Sequence, residues 1–146
     1  MNNERFVYVT YIAATVEMVL DALIKGELTR QYWKHENVSD WKPGSPWKMV
    51  SINTERTVMH VGKVLEIIPP KRLVLSWGGA SDSPDSTMLS KAAIDIELVG
   101  EMVKLTITHD QLSTEMAKQI SGGWPLVLSS LKSFLETGKP LEIFSK

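Results

Sequence analysis

Apolar and polar positions change their period several times along this chain, and each change marks an element. Arg5 to Ile12 reads R-F-V-Y-V-T-Y-I, dense in β-branched and aromatic residues, which predicts a strand. Phe6, Tyr8, Thr10 and Ile12 share one face of it, and Val7, Val9 and Tyr11 the other. From Thr15 the spacing of Val16, Val19, Leu20 and Leu23 is helical, with Thr15 as N-cap, Glu17 in the first turn and Gly26 as the stop. A second short helix is expected from Glu27 to about Trp33, with Leu28 and Tyr32 on one face. Ser39 to Ser45 is turn chemistry around Pro43-Gly44. Strands follow at Trp47–Ile52, Thr57–Ile68 and Arg72–Trp77, with Pro69-Pro70 ending the second and a loop over Gly78–Ser86.

The plainest alternation comes next. Ile94, Ile96 and Leu98 point one way with Asp95 and Glu97 between them; after Gly100-Glu101, Val103, Leu105 and Ile107 repeat the pattern. This predicts an antiparallel hairpin with one wet face. The last third is helical. Ser113 or Thr114 is expected to cap a short piece through Ile120, broken at Gly122-Gly123, and Pro125 suits the first turn of a new helix. Val127, Leu128, Leu131, Phe134 and Leu135 then form one apolar stripe, closed by Gly138 and Pro140, with Leu141–Lys146 as a tail. The order predicts an α+β fold: a curved antiparallel sheet around a long C-terminal helix, with two short helices after the first strand. A single helix covers only a strip of such a sheet, so a cavity is expected between the two.

Composition narrows the chemistry. At 146 residues the chain has the size of one domain, expected to run over residues 1–146. It has no cysteine, which excludes disulfides, thiolate catalysis and cysteine-bound metal and fits a cytoplasmic protein. No signal peptide is visible at the N-terminus, and no apolar run approaches the ~20 residues of a membrane span. The formal net charge is -1 and the basic residues are scattered, so no nucleic-acid partner is expected. Five tryptophans and seven methionines stand out as side chains suited to apolar, adaptable surfaces, although core packing is the simpler role for them.

Several local patterns resemble the domain of activators of the heat-shock-protein-90 ATPase and its bacterial relatives, within the START-like or SRPBCC superfamily that includes the birch pollen allergen. They are Ser39-Asp40-Trp41-Lys42-Pro43-Gly44, Gly62 to Ile67 with Pro69-Pro70-Lys71-Arg72-Leu73-Val74, Leu105 to His109, and Gly123-Trp124-Pro125 leading into Leu128 to Lys132. They occur in order across nearly the whole chain. The resemblance implies a helix-grip fold whose cavity hosts sterols, lipids, hormones or polyketides in different members, with no shared catalytic set. Eukaryotic members that stimulate the chaperone ATPase use an additional N-terminal domain, for which this chain has no room; that counts against a co-chaperone role.

Within a helix-grip fold, Trp33, Trp77 and Trp124 are expected near the cavity or its mouth, together with Leu128 of the helix stripe. His60 shares the face of Gly62 and Val64, whereas His35 is expected in a solvated loop. His109 beside Asp110 raises acid–base chemistry, but neighbours on a strand face opposite ways. The three histidines lack the close spacing of a metal site, and neither a phosphate-binding loop nor a serine nucleophile elbow occurs, so no metal or cofactor is expected. The reading is thus a binding domain for a small apolar or amphipathic ligand, with Trp33, His60, Trp77, His109, Trp124 and Leu128 at the site. A hydrolase or cyclase using His109 or Asp110 is one alternative. A protein-interaction module, through a chaperone or a homodimer, is the other.

Overall fold

The computed structural model describes residues 3–142. Its elements are β1 (Glu4–Ile12), α1 (Val16–Ile24), α2 (Gly26–Tyr32), β2 (His35–Ser39), β3 (Pro46–Ser51), β4 (Val58–Ile68), β5 (Arg72–Gly79), β6 (Ser90–Val99), β7 (Met102–Leu112) and α3 (Thr114–Thr137). The strands form one seven-stranded antiparallel sheet in the order β1-β7-β6-β5-β4-β3-β2. This is the α+β arrangement expected from the sequence, with helices gathered on one face of the sheet. No helix of the described residues is long and apolar enough to cross a membrane.

The alternation in the sequence is the alternation in the structure. Ile94, Ile96, Val103, Leu105 and Ile107 are buried on the inner face of the β6–β7 hairpin, where Ile94 stands opposite Ile107 and Ile96 opposite Leu105. On β1, Ile12 is buried and Phe6, Tyr8 and Thr10 are half-buried beneath α3, while Val7, Val9 and Tyr11 are exposed. Thr15 caps α1 by accepting from the Met18 amide at 3.1 Å. Ser113 caps α3 by accepting from the Met116 amide at 3.1 Å, and Gly138 closes α3 in the left-handed region (φ 83°).

Four expectations need correction. Lys25, extended at φ -87° and ψ 117°, breaks α1, and Gly26 is the first residue of α2 instead of the stop. Gly78 and Gly79 still belong to β5, which carries Trp77 inside the strand instead of at its end. Residues His35–Ser39 form an edge strand, so His35 is not in a solvated loop; polar H-E-N-V-S carries no alternation, and only pairing with β3 reveals it. The last helix is one continuous element through Gly122-Gly123, which puts Trp124 in its middle and not at its start. Packing decides this: Trp124, Val127, Leu128 and Leu131 hold one half against the core, while Met116 and Ile120 extend the same stripe back across the glycines. Ser129 is exposed, while buried Ser130 donates to the Tyr32 carbonyl at 2.8 Å and accepts from the Leu141 amide at 3.2 Å, joining α3 to α2. Of the expected tail, residues 143–146 lie outside the described residues.

Gly62 is required for a close approach. A Cβ there would lie 1.9 Å from the Ser76 carbonyl oxygen and 2.6 Å from Trp47 Nε1, which donates to that same carbonyl at 2.8 Å.

Candidate functional site

The space between sheet and helix is mostly filled by indoles. Trp47 and Trp77 lie 4.8 Å apart between ring centres, Trp77 and Trp124 5.5 Å, and Trp33 and Trp124 5.8 Å, all tilted. Trp33 arrives as the C-cap of α2, Trp47 from β3, Trp77 from β5 and Trp124 from α3. Beside this cluster a cavity of about 180 Å³ remains open. Its sheet wall is Met49, Met59, His60 and Trp77, with Trp33 and His35 at the β2 side. Its other wall is the first half of α3, through Met116, Gln119, Ile120, Gly123, Trp124 and Val127. Among the described residues no Asp, Glu, Lys or Arg lines it, whereas three larger hollows each include at least one charged side chain. The volume is below the 300–1,000 Å³ of pockets for drug-sized ligands and close to a 150 Å³ cavity that takes benzene.

Of the residues expected at the site, Trp33, His60, Trp77 and Trp124 therefore line one cavity, from its two walls. Leu128 and His109 do not border it: Leu128 is fully buried in the core, and His109 is buried behind Trp77 and Trp124, with ring centres at 5.6 and 6.3 Å. Sequence reasoning missed His35 and the methionines. Met116 and Ile120 were legible as a continuation, at four-residue steps, of the stripe through Trp124; the glycine pair concealed it.

The histidines are held in opposite tautomers. Trp124 Nε1 donates to His109 Nδ1 at 3.1 Å, so that nitrogen carries no hydrogen. His109 Nε2 lies 2.9 Å from Ser90 Oγ, and the Ser90 hydroxyl donates to the Trp77 carbonyl at 2.8 Å. The chain of bonds is complete only if Nε2 carries the hydrogen and gives it to Ser90. Burial, and secondarily the charge of His60, lowers the His109 pKa to about 4, so the ring is neutral with both nitrogens engaged. It has no free lone pair with which to accept a substrate's proton, and Asp110 faces the other way, half-exposed beside Arg5 at 3.6 Å.

His60 and His35 are set the other way round. His60 Nδ1 lies 3.0 Å from the Gly78 carbonyl and His35 Nδ1 lies 3.0 Å from the Trp33 carbonyl. A carbonyl only accepts, so each Nδ1 carries the hydrogen and each Nε2 is a bare acceptor. Burial lowers both pKa values. Trp77 Nε1 is the converse: a buried donor with no partner among the described residues. Leaving such a group unpaired costs about 1–3 kcal/mol.

With this geometry in hand, comparison with known proteins is decisive for the family. The family described as "Activator of Hsp90 ATPase homolog 1-like protein" matches residues 13–136. The chain belongs to this family. No curated protein sequence matches it. Among solved structures, the chain is similar to the Aha1 dimer of Colwellia psychrerythraea, with TM-score 0.77 and 24% identity over 93% of this chain and 98% of that one. It is also similar to CalU16 of Micromonospora echinospora (TM-score 0.73, 20% identity, 92% of this chain and 77% of that one). A third is an HSP90 activator from Plasmodium falciparum (TM-score 0.66, 18% identity, 82% and 86% coverage). At these identities the likenesses establish the helix-grip fold expected from the sequence, a START-like sheet around its C-terminal helix.

Proposed function

We propose that this family member is a binding domain that holds a small, ring-sized apolar or amphipathic molecule between its sheet and the first half of α3. The observation that carries this reading is an uncharged, aromatic- and methionine-lined cavity bordered by two histidines, His35 and His60, whose Nδ1 atoms are engaged by main-chain carbonyls and whose Nε2 atoms have no partner among the described residues. Affinity would come from removing apolar surface from water, at about 25 cal/mol per Å², with the imidazoles setting orientation. The proposed site is Trp33, His60, Trp77 and Trp124, joined by His35 and Met116; His109 and Leu128 support it from behind. The test is native mass spectrometry of protein purified from its own host, followed by thermal unfolding with ring compounds. A ligand at 100 times its dissociation constant raises stability by about 2.7 kcal/mol. No passenger and no shift with any ring compound would end the proposal.

A second reading, docking to a protein, draws on the family and on β1. This edge strand is nine residues long and exposes Val7, Val9 and Tyr11, while the opposite edge, β2, is five residues long and packs against α2. A long apolar edge favours association. The similar Colwellia protein is described as a dimer and the Plasmodium protein as an HSP90 activator, so a second copy and that chaperone are the partners to try. Sedimentation over a concentration series and stimulation of the chaperone's ATPase test them separately. Val9→Lys should abolish either association without touching the cavity.

A further inference from the structure

The cavity's polar groups are unbalanced, and the imbalance names a ligand class; the inference rests on the holding role proposed above. Met49 on β3 pairs directly with His60 on β4, and His35 on β2 pairs with Ser51, two residues from Met49 on the same face. Both imidazoles therefore look into the interior from the same side of the sheet, and both border the cavity. Each has spent its Nδ1 hydrogen on a main-chain carbonyl, Trp33 for His35 and Gly78 for His60, at 3.0 Å. Neither Nε2 has a partner among the described residues, and neither is sealed from open space, since the buried unpaired atoms are those of Asn37, Trp77 and Asp110. Two residues that border the cavity thus each keep a bare, unsealed acceptor. Against them stands, at the exposed rim, the Gln119 amide as donor; the Trp77 N–H is buried away from open space, and no cationic side chain of the described residues is in the lining.

Such a wall treats ligands of equal size differently. A hydroxyl or amine on an aromatic ring donates into an Nε2 lone pair while its ring meets the indoles. A carboxylate of the same size accepts only, so it faces two lone pairs and gives up its hydration without a cation to replace it. We propose that the cavity selects ring-sized aromatic molecules that carry an O–H or N–H donor, phenols and arylamines being the simplest, and rejects the matching aryl carboxylates.

Phenol, toluene and benzoate share one ring and differ in the group attached, so they separate the possibilities. Their binding to the full chain is measured by isothermal titration near pH 7.5, with the imidazole nitrogen resonances followed by NMR. Phenol should bind about tenfold more tightly than toluene, the worth of one good hydrogen bond, and benzoate more weakly than either. Phenol, and not toluene, should shift the Nε2 resonance of His60 or His35 in the unaltered protein. His60→Phe and His35→Phe keep an aromatic ring in place; in one or both the phenol-to-toluene ratio should fall towards one. Equal binding of all three compounds leaves the holding role intact and overturns the donor selectivity. So does benzoate binding as tightly as phenol, or a phenol preference that survives both substitutions. Failure of all three to bind overturns the holding role and this inference together. Should either variant fail to fold, the resonance shift in the unaltered protein still decides.

Discussion

Gly122 and Gly123 sit inside a helix that their own propensities oppose, and replacing both with alanine measures how far packing overrides them. Neither glycine has a positive φ, and a Cβ built on either meets nothing within 4 Å, so the added methyl groups fit without strain. Each glycine in a helix interior costs about 0.5–1 kcal/mol relative to alanine, chiefly through the freedom it loses on folding. Pro125 weakens the same turn further, because it has no N–H to offer the carbonyl of Ser121. Gly122→Ala/Gly123→Ala should therefore stabilise the protein by about 1–2 kcal/mol, raising Tm by about 3–6 °C for a chain of this size. Urea and thermal unfolding followed by far-UV circular dichroism measure both quantities. Gly138→Ala is the internal control: at φ 83° the alanine is strained, and stability should fall by about 1 kcal/mol. If the control behaves and the double variant gains nothing or loses stability, the chain is not helical across 122–123 and α3 is two helices.

Acidification should destabilise the fold through the histidines. The folded-state pKa of His109 is depressed to about 4 from 6.5, so between these values the unfolded chain binds the extra proton. Stability is therefore complete above about pH 7, falls as pH drops towards 4 by roughly 3 kcal/mol, and loses nothing more from this group below that. His35 and His60 act in the same direction, and urea midpoints between pH 7.5 and 4.5 in the protein and in His109→Phe check the share of His109. Ser90→Ala leaves the His109 Nε2 hydrogen without its acceptor and should cost about 1–3 kcal/mol by equilibrium unfolding. Gly62→Ala drives a methyl group into the Ser76 carbonyl and should cost about 3 kcal/mol or more, read as loss of soluble protein or a lowered urea midpoint.

Much of the fold is written locally. Period-two alternation in 94–98 and 103–107, the helical step of Val16 to Leu23, the caps at Thr15 and Ser113 and the stop at Gly138 each act through neighbours in sequence, so each could be read without the rest of the chain. The matches to the family carried the same information over a longer span, and the tryptophans marked the interior because few other positions accept so large an apolar surface.

Tertiary structure alone decided the rest. His35–Ser39 is a strand only because β3 supplies its hydrogen-bond partners and α2 covers it, which no pattern within four polar residues and one valine can announce. Gly122-Gly123 is helical because buried residues on its C-terminal side and a stripe on its N-terminal side share one surface, a gain summed over the whole helix that outweighs two local losses. Histidine roles lay furthest from the sequence. Which nitrogen carries the hydrogen depends on whether a carbonyl or an indole N–H stands opposite, and those partners come from residues 2, 15 or 18 positions away. Residue types fixed what chemistry was available, and the packing of sheet against helix chose which lone pairs stayed free.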